Sequence, residues 1–103
     1  MDKLGQQINV GDYVIIISKG KWGAVYFKVD VVFRMTNAYT FFGNPEDNNR
    51  TKHDNLIVIT EQQMTSFVNK SFDMFPDPIV KQIRVEKKLQ ELQELRNYIL
   101  GAG

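Results

Sequence analysis

"AVYFKVDVVFRMT", residues 24–36, alternates without a break. Val25, Phe27, Val29, Val31, Phe33 and Met35 fall on one face of an extended chain. Tyr26, Lys28, Asp30, Val32, Arg34 and Thr36 fall on the other. A period of two over this many positions is the signature of a β-strand with one wet face. At roughly 3.3 Å per residue it would span about 40 Å, long for a strand in a small domain. The reading therefore expects it to bend and to serve two parts of a curled sheet.

Upstream, "INVGDYVIIIS" (Ile8–Ser18) passes through a Val-Gly-Asp turn into four consecutive branched apolar residues, Val14–Ile17. A continuous apolar run fits a strand covered on both faces better than clean alternation would. Tyr13–Ile17 is thus a first strand, and "SKGKWG" (Ser18–Gly23) is a tight connection into the second. Downstream, Ala38–Phe42 and Asn55–Ile59 read as further strands, with Thr36-Asn37 as a hairpin corner. The polar stretch Gly43–Asp54 joins them, its second half available to extend the last strand.

Near Thr60 the period changes to that of a helix. Thr60 and Gln63 have the spacing of a capping box, and Met64, Phe67, Val68 and Phe72 follow on one face. "DMFPDP" ends this helix. Asp77 then caps a second with Pro78 at its first position, running to Leu100 and stopping at Gly101. The fold class expected is α+β: a small antiparallel barrel over 8–59, then a helical extension over 60–103, in one domain.

"VGDYVIII", the long second strand and "HDNLIVI" together resemble the SH3-like barrels, in particular KOW-type and related ribosomal or phage-encoded versions. The resemblance covers about Ile8–Ile59 and implies a binding module, since such barrels bind RNA, DNA, proteins or peptides. No basic KOW loop motif aligns residue by residue, so it transfers no site. Its small size and short-range organisation also resemble small phage-encoded host-directed proteins.

Composition narrows the function. The 103 residues include 13 Lys+Arg against 12 Asp+Glu, with one His and no Cys. Disulfides, thiolate nucleophiles and Cys-based zinc sites are excluded, and one His is too few for a histidine metal centre. Neither half carries the strong positive field of a general nucleic-acid binder. No apolar run approaches the roughly 20 residues of a membrane span, and "MDKLGQQ" lacks the apolar core of a signal peptide. The expectation is a cytoplasmic protein without cofactor, metal or membrane contact.

Five constellations compete for a role. In "KGKWG", Lys19, Lys21 and Trp22 make either an aromatic platform with flanking cations or a turn whose indole folds back over the barrel end. Lys28 and Arg34, with Tyr26, share a strand face and make either a phosphate-binding stripe with Arg50, Lys52 and His53 or a solvated face of mixed sign, interrupted by Asp30. His53-Asp54 reads as a surface turn rather than a dyad, because adjacent residues on extended chain point apart. On the last helix, Val85, Leu89, Leu92, Leu95 and Ile99 form an apolar stripe, broken by Lys88. That stripe either docks on its own sheet or serves a partner. "SFDMFPDP" gathers Phe72, Met74 and Phe75 as a core plug or a docking patch.

"GKWGA" lacks the spacing of a phosphate loop, and "PEDNN" lacks that of a calcium loop. No catalytic constellation is expected. The leading expectation is a non-catalytic regulator or adaptor that binds a protein through Leu92, Leu95, Ile99 and Trp22. The alternative is a nucleic-acid-binding module using Lys19, Lys21, Trp22, Lys28 and Arg34. Self-association through the last helix is a third reading.

Overall fold

The computed structural model describes residues 1–101. Five antiparallel strands come first: β1 (Tyr13–Lys19), β2 (Val25–Met35), β3 (Tyr39–Phe42), β4 (Arg50–Lys52) and β5 (Leu56–Ile59). Two helices follow, α1 (Glu61–Ser71) and α2 (Pro78–Gly101). The strand order is β4-β3-β2-β1-β5. The α+β class is as expected, and the last two residues of the expected helical extension lie outside the described chain.

Both helix starts follow local chemistry. The Thr60 hydroxyl accepts from the Gln63 amide at 3.1 Å while Gln63 Oε1 accepts from the Thr60 amide at 2.9 Å, closing the capping box. Asp77 Oδ1 accepts from the Ile79 amide at 2.9 Å, with Pro78 occupying the first helical position.

β1 has two covered faces. Tyr13 packs with Val29, Val31, Met64, Val68, Val85 and Leu92 in a core between sheet and helices. Val14 and Ile16 turn the other way, into a second core with Ile8, Val32, Phe42 and Leu56. The uninterrupted run Val14–Ile17 is the sequence record of that double burial.

β2 serves both parts of the sheet, through a bulge. Val32 pairs with Phe42 but Arg34 pairs with Phe41, so Phe33 is an extra residue on β2. An inserted residue reverses the phase of the pleat beyond it. Met35, expected on the face of Val29 and Val31, consequently packs with Val32 in the second core. Phe33 turns its ring towards Phe41, with centroids 6.0 Å apart.

The ribbon does not close. β4 pairs with β3 and β5 with β1, and the two outer strands share no ladder. The barrel expected from the resemblance is thus an open sheet, because the N-terminal segment occupies the outer edge of β5. The Lys3 amide donates to the Leu56 carbonyl at 2.8 Å, and the Val58 amide donates to Asp2 Oδ2 at 2.7 Å. Asp2 Oδ1 also accepts from the Leu4 and Gln6 amides. Burial works to raise the Asp2 pKa, but these backbone donors outweigh it and hold the carboxyl below its ordinary value.

α2 is anchored at its far end on the Val-Gly-Asp turn. Gly11 has φ +90°, and a Cβ there would lie 2.5 Å from Leu100 Cδ2. Arg96 Nε donates to the Gly11 carbonyl at 3.0 Å and its guanidinium faces the Tyr13 ring. Glycine therefore serves both the turn and the close approach of the helix.

Candidate binding surface on the β1–β2 arm

The β1–β2 hairpin is longer than the layer that covers it. The pair runs from Tyr13–Val31 out to Lys19–Val25, whereas β5 accompanies β1 only as far as Ile16 and β3 reaches β2 only from Val32. The outer half is a two-stranded arm. On its helix-facing side Val25 and Phe27 continue the line of Val29 and Val31 past the buried core, and Phe27 is 57% exposed. On the opposite side Tyr26 lies against Gly20, where any Cβ would strike its ring.

The tip is a strained turn. Trp22 has φ 69° and ψ 20°, and Gly23 follows with φ 76°. They sit in a three-residue loop, Lys21–Gly23, closed by the Gly20 amide donating to the Ala24 carbonyl at 2.7 Å, and glycine or asparagine is the usual occupant of left-handed positions in such a turn. A bulky residue in that conformation is an outlier, held at an expense of about 1–2 kcal/mol. The consequence is geometric: the indole projects from the end of the arm and is 100% exposed. The reading in which Trp22 folds back over the end of the sheet is thereby overturned.

The remaining candidate residues separate into two groups. Lys19, at the end of β1, and Lys21, within the loop, are exposed just ahead of Trp22, and neither is in an ion pair among the described residues. Lys28 sits 3.7 Å from Asp30 Oδ2, with its ammonium 4.8 Å from the Phe42 ring centroid. Arg34 lies beyond the bulge and stacks over Phe41 at 4.0 Å. Arg50 stacks over Tyr39. Tyr26, Lys28 and Arg34 therefore form no continuous stripe, because the bulge breaks the shared face and Asp30 neutralises Lys28.

The α2 stripe is turned inward. Leu92 is 3% exposed within the helix–sheet core, and Leu89, Leu95 and Ile99 pack around it. As an open docking surface for a partner or a second copy, Leu92, Leu95 and Ile99 are corrected: the sheet's own Tyr13, Val29 and Val31 cover them. Lys88, which interrupts the stripe, lies beside Asp30. Burial raises the Asp30 pKa, opposed by the Val31 amide, Lys28 and Lys88. Apolar residues left open on α2 are Ile79, Val80 and Ile83 in its first turns, with Tyr98 and Leu100 near its end. Phe72 and Phe75 are half-buried and Met74 points outward, so the inter-helix cluster divides between plug and surface.

His53 holds a turn. Its Nε2 lies 2.8 Å from the Thr36 carbonyl, which only accepts, so Nε2 carries a proton. In the neutral ring Nδ1 then accepts from the buried Thr40 hydroxyl at 2.7 Å. Asp54 is exposed and pairs with nothing in this network. Among the described residues no three His, Asp or Glu side chains converge on a metal position.

Two concave features flank the arm. A cavity of about 510 Å3 at the open seam of the sheet is lined by Lys3, Ile17, Ser18, Lys19, Thr51 and Asn55, without a carboxylate. On the helix side, Phe27, Lys28, Asp30, Phe67, Phe72 and Lys88 enclose about 190 Å3. Sequence reasoning missed Val25 and Phe27 as surface residues. Their signal is a mismatch of length, since an 11-residue β2 overhangs a 4-residue β3.

No protein-family model, curated protein or solved structure matches this chain. Among the described residues no helix is long and apolar enough to cross a membrane.

Proposed function

We propose that the chain is a non-catalytic binding module, a regulator or adaptor whose partner is a protein engaged by the β1–β2 arm. The observation that carries this reading is Trp22, a fully exposed indole at the tip of an arm that also leaves Val25, Tyr26 and Phe27 open. Exposed Trp and Tyr give large, stiff contact area and dominate the energetics of protein interfaces. Strain kept at a bulky tip residue is typical of positions retained for contact rather than for folding. A cysteine-free chain fits a reducing, cytoplasmic setting.

Capture from a host lysate with the wild type and with Trp22→Ala, followed by titration of the purified partner, tests the reading. The expected result is a protein bound by the wild type and weakened at least tenfold by the substitution. Equal capture by both proteins would refute it.

A second reading is favoured by the seam cavity. Lys3 and Lys19, with Ser18, Thr51 and Asn55, offer donors for phosphate next to the arm that carries Trp22. Lys19, Lys21 and Trp22 would then bind single-stranded nucleic acid by cation contact and base stacking, without Lys28 and Arg34. Tight, salt-sensitive oligonucleotide binding that disappears in both Trp22→Ala and Lys21→Ala would select this reading over the first.

A further inference from the structure

The arm also has a free backbone edge. The Val32 amide donates to the Asp12 carbonyl and the Gly11 amide donates to the Val32 carbonyl, so even-numbered residues of β2 turn their backbone groups towards β1. Val31 turns the other way, its carbonyl accepting from the Gly43 amide and its amide donating to Asp30 Oδ1. By the alternation of an extended strand, Val29, Phe27 and Val25 also present their amides and carbonyls on that outer side. β3 pairs with β2 only from Val32 onward, so these groups have no strand beside them. Val29 is buried within the helix–sheet core, so the open part of this edge is Val25 and Phe27. An exposed, apolar, unpaired edge is a template for another strand, and proteins that do not use one usually blunt it.

Beside this edge lies the aromatic concavity of Phe27, Phe67 and Phe72. It continues across Phe72 and Lys88 into a second concavity, of about 160 Å3, lined also by Arg84, Lys87 and Glu91. Arg84 stacks over Phe75, whose ring lies 5.9 Å from that of Phe72. The rim therefore carries four cations, Lys28, Arg84, Lys87 and Lys88, against two carboxylates, Asp30 and Glu91. Its formal charge of +2 exceeds the +1 of the whole chain, so the remainder is net negative.

Resting on the protein-binding reading of the arm, we infer that the free edge of β2 takes an extended acidic segment of the partner as an added strand, with an apolar side chain seated between Phe27 and Phe72. Strand addition uses main-chain hydrogen bonds for affinity and the neighbouring pocket for specificity. Charge selects the occupant: a segment bearing Asp or Glu complements the rim, whereas a second copy of this chain brings a like-charged rim to it.

The test uses the full chain, a random 12-residue peptide library, and residue-resolved amide exchange by NMR with the enriched peptides. The expected result is enrichment of acidic peptides with an aromatic or aliphatic residue. Exchange at Val25 and Phe27 should slow at least tenfold on binding, and Lys87→Glu with Arg84→Glu should weaken binding at least tenfold while the circular dichroism spectrum is retained. Enrichment of basic or neutral peptides, no enrichment at all, or binding without slowed exchange at Val25 and Phe27 would overturn the inference. Slowed exchange that grows with protein concentration in the absence of peptide, together with dimers by light scattering, would assign the edge to a second copy and overturn it as well. Peptides that bind without protecting the edge but depend on Trp22 would sink strand addition and leave the arm reading standing. Peptides indifferent to both would sink the two together.

Discussion

Replacing Trp22 with glycine is expected to leave the domain as stable as the wild type or more so, although it deletes the only tryptophan. The indole is 100% exposed and contributes no burial to folding. Its backbone, at φ 69°, carries the left-handed penalty of about 1–2 kcal/mol. Glycine releases that strain but loses about 0.5–1 kcal/mol more conformational entropy on folding than a substituted residue. The balance runs from no change to a gain of about 1.5 kcal/mol. Alanine keeps the strain and removes only solvated atoms, so Trp22→Ala should remain within about 0.5 kcal/mol of the wild type. Urea unfolding followed by far-ultraviolet circular dichroism, which does not depend on the missing fluorophore, gives both values. A loss above about 1 kcal/mol in either variant would show that the indole is packed against the domain and would refute the reasoning.

Other expectations concern what holds the arm's base in place. Leu92→Ala, at a site 3% exposed, should destabilise by about 2–5 kcal/mol, while Ile83→Ala, at 60% exposure on the same helix, should change stability by less than about 0.5 kcal/mol in the same urea assay. Gly11→Ala should cost about 1–3 kcal/mol by thermal unfolding, and adding Leu100→Ala should recover part of the loss by removing the clash but not the φ strain. Asp2→Asn should destabilise at neutral pH by about 1–2 kcal/mol. Because the folded-state pKa of Asp2 is lowered, its contribution is present above the unfolded value near 3.8 and disappears as pH falls through the folded one. Urea titrations at descending pH should therefore show wild type and variant converging in acid.

How far the sequence carried varied with the range of the interaction. Thr60 with Gln63 and Asp77 with Pro78 were legible because a cap is written within four residues. The double burial of β1 was legible because Val14–Ile17 leaves no polar position to face water. The bulge at Phe33 was not, since counting every second residue assumes an unbroken pleat, and the apparent alternation ran straight across it. β4 was hidden because Arg-Thr-Lys has no apolar position; backbone bonds and the stacking of Arg50 on Tyr39 hold it to β3. Asp2 gave no signal either: Leu4 and Gln6 supply local amides, but its tie to β5 depends on the Val58 amide, which only the fold brings to it. The α2 stripe was visible as a stripe, but only the position of Tyr13, Val29 and Val31 decides that it is sealed. For Trp22 a usable clue was present: a residue followed by glycine between two strands is the pattern of a left-handed hairpin turn, which sends the first side chain outward.

The fluorescence of the unliganded chain tests the central claim most directly, because its single tryptophan reports on the tip of the arm alone. The account predicts an emission maximum and an acrylamide quenching constant matching those of a solvated tryptophan analogue. A blue-shifted spectrum with quenching several-fold weaker would place the indole against the protein and contradict it.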